Sequence, residues 1–515
     1  MPIPISFGRL DVGLVASLEA TRAGKADPES PFKIAVLGDF SGRKNRGTVE
    51  HVQGRRIHRI DRDNFDEILK KCAPRLGLPI LGKNSAPITM GFAELDDFHP
   101  DSLYQRIEIF QALRDTRKAL KDPKVLAALA KQARESESTR AETPRKAEVS
   151  SASVAEPAGA GLLDQVIGVT EAKTPDVAAS LPSSEWDRFL RDLVSPHLEP
   201  DTLSQQRELT ETTDAATGEL MRRILHHQEF QALEATWRGL KMLVSRLETD
   251  EQLQVFILDV SKAELAKDLL ASDDLHTSGL YQLLVEQTVG TPGGEPWAVV
   301  AGGYTFDQTS EDLEVLGRIA RIMRPAGAPF IAAAHPHLIG CESLAATPDP
   351  RIWKWLPPPE LARLWQELRA LSEAPYLGLV LPRLALRLPY GSDTEPTERF
   401  DFEEMPAAVD HGLYLWGNPA FACVCLLGQA FSDQGWDFRW GDRLDVEDLP
   451  LHTYRHDGES RITPCAEVLL TVDAAERILD KGIMPLVSFK NQDRARLASF
   501  QSIADPLTNL AGRWQ

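Results

Sequence analysis

Positive charge, cysteine and long apolar runs are scarce in this sequence. Its 515 residues include 57 Lys and Arg against 76 Asp and Glu, for a net charge of −19. This balance argues against a nucleic-acid-binding protein. Five scattered cysteines do not suit a disulfide framework and favour a reducing compartment. No apolar run approaches the roughly 18 residues of a membrane span, and no basic segment precedes an apolar core at the N-terminus. The sequence therefore predicts a cytoplasmic protein without membrane insertion.

The chain is long enough for two or three domains. Residues 1–130 have the pattern of a small β/α unit, and residues 183–515 that of a larger unit with alternating strands and helices. Residues 131–161 are rich in Ala, Ser, Glu and Arg, lack aromatic residues and show no apolar periodicity. That composition is typical of a flexible linker. The predicted fold class is α/β of the mixed α+β type, with two units joined by the linker.

Several local elements follow from periodicity and capping patterns. One amphipathic helix is predicted after "DDFHPD", with Leu103, Ile107, Phe110 and Leu113 as its apolar stripe. A strand is predicted for "VLLTV", residues 468–472. Helix starts are predicted where a hydroxyl residue precedes an acidic residue by three positions, at Ser261 with Glu264 and at Thr309 with Asp312.

A stretch that could hold a phosphate is "PFKIAVLGDFSGR", residues 31–43, where an apolar strand runs into Gly38 and Gly42. Nucleotide-binding turns often begin in this way. Neither G-x-x-x-x-G-K-[ST] nor G-x-G-x-x-G is present in this stretch, however. We therefore interpret it as a structural corner between a strand and the next element.

Three groups of residues could be metal ligands. His335 and His337 flank Pro336, but without a neighbouring carboxylate motif a hydrogen-bonded loop pair is favoured over a metal site. Cys423 and Cys425 lie in an apolar stretch without a second Cys or His pair, so buried thiols are favoured over zinc. The acidic residues of "DDFHPD" are interpreted as part of a helix start.

The sequence also contains two candidates for anion binding, Arg383 and Arg387. Arg383 and Arg387 either pair with the surplus carboxylates or bind an anionic ligand, and ion pairs are favoured. A G-x-S-x-G elbow and a recognisable nucleophile–base pair are both missing from the sequence. The expectation is a protein that is not an enzyme, with no catalytic residue, cofactor or metal.

A short amphipathic segment, "GLLDQVIG", ends the predicted linker. Its apolar residues fall on one side of about two helical turns: Leu162, Leu163, Val166 and Ile167. Little nearby sequence could bury this face. The segment either docks on its own domain or binds a partner.

Long motifs in both units resemble the contractile-sheath proteins of the bacterial type VI secretion system. The first unit is similar to the small subunit (TssB, also VipA) through "PFKIAVLGDFSGR", "IDRDNFDEILKKCAPRL" and "LDDFHPDSLYQRIEIFQALRDTRKAL". The second is similar to the large subunit (TssC, also VipB) through "ILHHQEFQALEATWRGLKMLV", "APFIAAAHPHLIG", "YLGLVLPRLALRLPYGSDT" and "KGIMPLVSFKNQD". The motifs occur in one consistent order, as in a fusion of the two subunits.

The resemblance implies a structural role, in which small and large subunits form protomers that assemble helically around an inner tube. It implies sheath subunits as partners, together with the inner tube, the baseplate and an AAA+ unfoldase. That unfoldase recognises a helix near the start of the large subunit, so residues 162–182 are the expected recognition segment, with Leu162, Leu163, Val166 and Ile167 as contacts.

Two departures from the family pattern leave alternatives open. The two subunits are usually separate chains, whereas here a linker would join them. The resemblance to the large subunit also stops near the end of this sequence, before the family's C-terminal region. A cap, adaptor or regulator that binds sheath subunits or the unfoldase without polymerising is therefore the alternative to a sheath component, and a nucleotide-binding α/β enzyme is a remote one.

Overall fold

A large mixed β-sheet organises the computed structural model, which describes residues 6–10, 26–80, 86–119, 202–406, 410–439, 441–456 and 458–514. Among these residues nine strands form the sheet in the order β11-β15-β14-β8-β7-β6-β1-β5-β2. The six strands from β14 to β5 run parallel, and antiparallel strands complete both edges. The mixed α/β class predicted from the sequence is confirmed.

The strands of this sheet are β1 Phe32–Gly38, β2 His58–Ile60, β5 Leu253–Asp259, β6 Val299–Phe306, β7 Phe330–Ala334, β8 Leu377–Leu381, β11 Asp445–Val446, β14 Met484–Ser488 and β15 Ala495–Leu497. Three antiparallel pairs lie outside it, formed by β3 Arg75–Leu78 with β4 Ile88–Gly91, β9 Leu384–Ala385 with β10 Trp416–Gly417, and β12 Thr453–His456 with β13 Glu459–Ile462.

Helices cover both faces of the sheet. They are α1 Phe65–Cys72, α2 Pro100–Arg106, α3 Glu108–Ala119, α4 Thr202–Leu225, α5 Gln228–Arg246, α6 Lys262–Leu270, α7 Gly279–Tyr281, α8 Ser310–Ala326, α9 Pro359–Arg369, α10 Ala420–Gln434 and α11 Val472–Asp480. The capping prediction holds at α6, where Ser261 and Glu264 form a reciprocal capping box. It also holds at α8, where the Thr309 side chain accepts a hydrogen bond from the amide of Asp312.

Strand β1 shows how the two predicted units are related. It pairs in parallel with β5 along its whole length and with β6 at four positions, so a strand from the first sequence region lies inside the sheet of the second. Its side chains alternate between the two hydrophobic cores: Ile34 and Val36 belong to one, and Ala35 and Leu37 to the other. The two regions therefore share a sheet and both cores within one chain.

The predicted single helix after "DDFHPD" is wrong in one respect, because the chain forms two helices. Ile107 has an extended backbone (φ −83°, ψ 127°) between α2 and α3. The break exposes carbonyl groups at the end of α2, and the guanidinium of Arg114 donates hydrogen bonds to two of them, those of Tyr104 and Gln105. Ile107 is nevertheless buried, as the apolar stripe predicted.

The strand predicted for "VLLTV" is also wrong. Val468 and Leu470 are buried, but among the described residues the segment has no ladder partner. Thr471 instead caps α11 by accepting a hydrogen bond from the amide of Ala474 (3.2 Å). A short apolar run indicates burial and does not by itself distinguish a strand from the approach to a helix.

Candidate functional site

The loop after β1 is held by carboxylates of the chain itself. The Asp259 carboxylate, at the end of β5, accepts hydrogen bonds from the amides of Phe40 (2.8 Å) and Ser41 (3.1 Å). Asp39 accepts another from the amide of Arg43 (2.7 Å). These are the amide donors that a bound phosphate would need, and two carboxylates would repel an anion. The interpretation of this stretch as a structural corner is confirmed.

Glu264 joins the two sequence regions. This fully buried carboxylate in α6 binds the guanidinium groups of Arg43 (2.9 Å) and Arg55 (2.6 Å) and accepts hydrogen bonds from the amides of Glu50 and Ser261 (both 2.9 Å). Burial alone would raise the pKa of Glu264, but the hydrogen bonds from these four groups lower it to about 2. We call these residues the inter-region network, because both arginines precede the predicted linker.

Apolar and backbone contacts continue the same junction. The buried indole of Trp237, in α5, donates a hydrogen bond to the carbonyl of Phe40 (2.9 Å). At Gly279 a Cβ atom would lie 2.3 Å from the backbone nitrogen of Gln53 and 2.7 Å from the carbonyl carbon of Val52. The loop after β1 thus approaches the second region closely enough to exclude a side chain.

A second charged group is buried beside the loop that follows β9. Arg387 binds Glu234 (2.9 Å) and Glu404 (2.7 Å), and its guanidinium lies 4.2 Å from the ring centroid of Tyr390. Glu404 also bonds to Nε2 of His226 (3.2 Å). We call these five residues the Arg387 network.

The pKa of Glu404 reflects its surroundings in the same way as that of Glu264. Burial would raise the pKa, but the charge of Arg387 and hydrogen bonds from His226, Arg387 and the Tyr390 amide lower it to about 2. Arg383, four residues before Arg387, pairs with Glu467 (2.5 Å). The prediction that both arginines form ion pairs is confirmed, although the sequence did not indicate which carboxylates they bind.

The histidines of the "HPH" loop meet a carboxylate that the sequence reasoning missed. Asp307 follows β6, and its Oδ1 lies 2.8 Å from Nδ1 of His337 and 3.4 Å from Nδ1 of His335. The His337 ring stacks on Trp355, with centroids 4.1 Å apart and planes 6° apart. Burial lowers the pKa of His335, against the opposing charge of Asp307. The sequence offers only the position of Asp307 directly after β6, and the adjacency of β6 and β7 is known from the fold.

Two other sequence predictions are confirmed. Cys423 and Cys425 are buried in α10, and burial raises the pKa of Cys425 to about 12. In "DDFHPD", His99 caps α2 by accepting a hydrogen bond from the amide of Asp101 (3.2 Å), and Pro100 is the first helical residue. The predicted partner-binding residues Leu162, Leu163, Val166 and Ile167 lie outside the described residues. In the part of the chain that is described, no helix has the length and apolarity to cross a bilayer.

The fold and these charged contacts define the class of protein to which the chain belongs. Arg383 and Arg387 bind carboxylates of the chain itself, and Glu264 connects the two sequence regions that share the large sheet. The chain is thus a mixed α/β protein whose two sequence regions share one sheet.

Comparison with known families agrees with that class. The family described as "EvpB/VC_A0108, tail sheath N-terminal domain" matches residues 207–504, and the family "Type VI secretion system, VipA, VC_A0107 or Hcp2" matches residues 18–141. The first match covers more than half of the chain, which therefore belongs to the VipB tail-sheath family.

Two curated relatives match the same two regions. The chain is 37% identical over 313 residues to the type VI secretion system sheath protein TssC1 of Pseudomonas aeruginosa, a match that covers 59% of this chain and 63% of TssC1. It is 27% identical over 125 residues to the sheath protein TssB1 of the same organism, covering 19% of this chain and 72% of TssB1. The chain thus spans less than two thirds of the length of TssC1.

Proposed function

We propose that this chain is a structural component of the contractile sheath of a type VI secretion system and combines both sheath-subunit types in one polypeptide. The observation that carries the proposal is the position of β1: a strand from the VipA-like region lies between two strands of the VipB-like region. The inter-region network reinforces this junction with buried charge pairs. The role is non-enzymatic and works through assembly.

The proposal extends to the organisation and partners of the chain. Residues 1–130 form the small-subunit-like part, residues 131–161 the linker and residues 183–515 the large-subunit-like part. The principal partners are sheath subunits, either further copies or separate small and large subunits. The inner tube and the baseplate are additional partners, and assembly takes place in the cytoplasm.

Electron microscopy of negatively stained samples tests the assembly proposal. The purified chain is imaged alone and after mixing with small and large sheath subunits from the same cell, and an equally acidic unrelated protein serves as the control for nonspecific association. We expect rings or tubes that contain the chain along their length. A chain that only decorates sheath ends would be a cap, and a chain that never associates with sheath would contradict the proposal.

The segment at residues 162–182 is proposed as the contact for an AAA+ unfoldase. The support is the sequence pattern, which places Leu162, Leu163, Val166 and Ile167 on one side of two helical turns. Replacing Leu163 and Ile167 together with Asp should abolish unfoldase binding. The matched control is Gln165→Asp, on the opposite side of the same turns, which should bind normally. Equal affinity of the double variant and the control would reject this assignment.

A further inference from the structure

Three potential metal ligands converge where two neighbouring parallel strands end. Asp307 directly follows β6, and His335 directly follows β7. His337 lies in the 3-10 helix Pro336–Ile339 that begins after His335. One ligand atom from each of these three residues lies within 4.8 Å of the other two. The carboxyl ends of parallel strands are where α/β sheets commonly bind ligands.

The spacing of these groups suits a divalent transition ion. Zinc binds imidazole nitrogen and carboxylate oxygen at about 2.0–2.2 Å, so neighbouring ligand atoms in a tetrahedral site stand roughly 3.3–3.6 Å apart. Oδ1 of Asp307 lies 2.8 Å from Nδ1 of His337 and 3.4 Å from Nδ1 of His335. Small side-chain rotations would bring the set to ligand distances.

Solvent can reach all three side chains. The exposed fractions are 29% for Asp307, 34% for His335 and 24% for His337. An ion could therefore enter without unfolding of the sheet, and water could occupy a fourth coordination position. The Trp355 ring stacks on the face of the His337 imidazole and orients its plane.

Two local interactions oppose binding, and neither blocks it. The amide of His337 donates a weak hydrogen bond to Nδ1 of His335 (3.3 Å), which an ion at that atom would displace. Arg383 is a nearby positive charge that acts on His335. Glu467 pairs with Arg383 at 2.5 Å and offsets that charge.

We propose that Asp307, His335 and His337 form a binding site for a divalent transition ion of the zinc type. Two imidazoles and one carboxylate hold the ion, and the fourth position faces solvent. The ion would link the ends of β6 and β7 to the 3-10 helix that carries His337. This site is independent of the sheath assignment.

Calorimetric titration of the full-length, chelator-treated protein with Zn²⁺ tests the site. We expect one equivalent to bind to the wild type, and affinity to fall by more than about tenfold in His335→Ala and in Asp307→Asn. His51→Ala removes an exposed histidine elsewhere and should bind as the wild type does. Circular dichroism in chelator checks that each variant is folded. Absence of binding to the wild type, or unchanged affinity in His335→Ala, would overturn the proposal.

A second readout uses the stacked indole. Cu²⁺ bound beside His337 should quench the fluorescence of Trp355, and Trp355→Phe should remove that component while Zn²⁺ binding persists. Quenching that is the same in the wild type and in Trp355→Phe would place the ion elsewhere and contradict the assignment. This measurement leaves all three ligands intact, so it does not depend on a ligand variant that folds.

Discussion

Two buried glutamates, Glu264 and Glu404, are stabilised by the same kind of charged network but join different parts of the molecule. The arginine partners of Glu264 are 221 and 209 residues away along the chain, in the VipA-like region. Arg387 is only 17 residues from Glu404 and lies within the VipB-like region. In both cases the pKa of the glutamate falls to about 2. A buried glutamate bound by arginine thus joins two sequence regions in the inter-region network and orders a loop in the Arg387 network.

The networks differ in how far water can reach their cations. The side chains of Arg43 and Arg55 are 12% and 13% exposed, whereas that of Arg387 is 4% exposed. Arg43 also has other acidic neighbours, Asp259 and Glu50. Loss of Arg387 should therefore be more damaging than loss of one arginine from the inter-region network, since Glu404 is itself only 1% exposed and water reaches it poorly.

The largest expected effect is that of Arg387→Met. It removes the guanidinium partner of the buried Glu404, while Glu234 keeps Arg238 (2.7 Å), and should lower the free energy of unfolding by about 3–5 kcal/mol. Urea denaturation followed by fluorescence measures the change. The matched control is Arg383→Met, because Arg383 is 47% exposed and its pair should contribute about 1 kcal/mol or less. Equal effects of the two variants would contradict the comparison.

Glu264→Gln should have the next largest effect. The amide keeps the shape of the side chain but removes the charge that faces Arg43 and Arg55, at a cost of about 2 kcal/mol. The same urea experiment measures it. Glu67→Gln is the control, since Glu67 forms a solvent-exposed helical pair with Lys71 whose loss should change the stability little. If Glu264→Gln were as harmless as its control, the inter-region network would not stabilise the junction.

Gly279→Ala separates packing from charge at the same junction. The added methyl group would meet the backbone of Val52 and Gln53 and should destabilise the protein by about 1–3 kcal/mol. Gly412→Ala is the control, because its Cβ would find its nearest neighbour at an ordinary 3.5 Å. Native-state hydrogen exchange would show whether the loss is concentrated around residues 50–54. Uniform loss of protection across the sheet would mean that the contact of Gly279 with Val52 and Gln53 does not stabilise this region locally.

The smallest expected effect is a difference between the wild type and Glu264→Gln in how the free energy of unfolding depends on pH. The folded-state pKa of Glu264 is lowered from an ordinary 4.5 to about 2, so its contribution to stability is complete above about pH 4.5 and is lost as pH falls toward 2. Gln does not titrate. The stability gap between the wild type and Glu264→Gln should therefore be largest near neutral pH and narrow below about pH 4.5. A gap that stays constant down to about pH 3 would contradict this assignment.

Local signals in the sequence predicted much of the fold correctly. Capping pairs at Ser261 and Thr309 mark helix starts because their partners are three residues away, and the apolar run of β1 marks a buried strand. The break at Ile107 was missed because its apolar periodicity continues through both helices. The sequence around Arg114 does not indicate that this residue binds the carbonyl groups of Tyr104 and Gln105 at the end of α2.

The sites were predicted less completely, since their chemistry depends on distant partners. Ion pairing of Arg383 and Arg387 followed from charge and composition, but Glu234, Glu404 and Glu467 could be identified only from the fold. His335 and His337 were recognised as a pair, whereas Asp307 is 28 and 30 residues earlier and reaches them because β6 and β7 are adjacent and parallel. Strand order is the information that a single sequence does not contain.

Cleavage of the chain between its two regions tests the central claim most directly. A specific protease site is inserted within residues 131–161, the purified protein is cut, and size-exclusion chromatography is combined with gel electrophoresis of each fraction. If β1 lies between β5 and β6 of the same chain, both fragments will elute together at the position of the uncut protein and separate only in denaturant. Fragments that separate in native buffer would contradict the shared sheet.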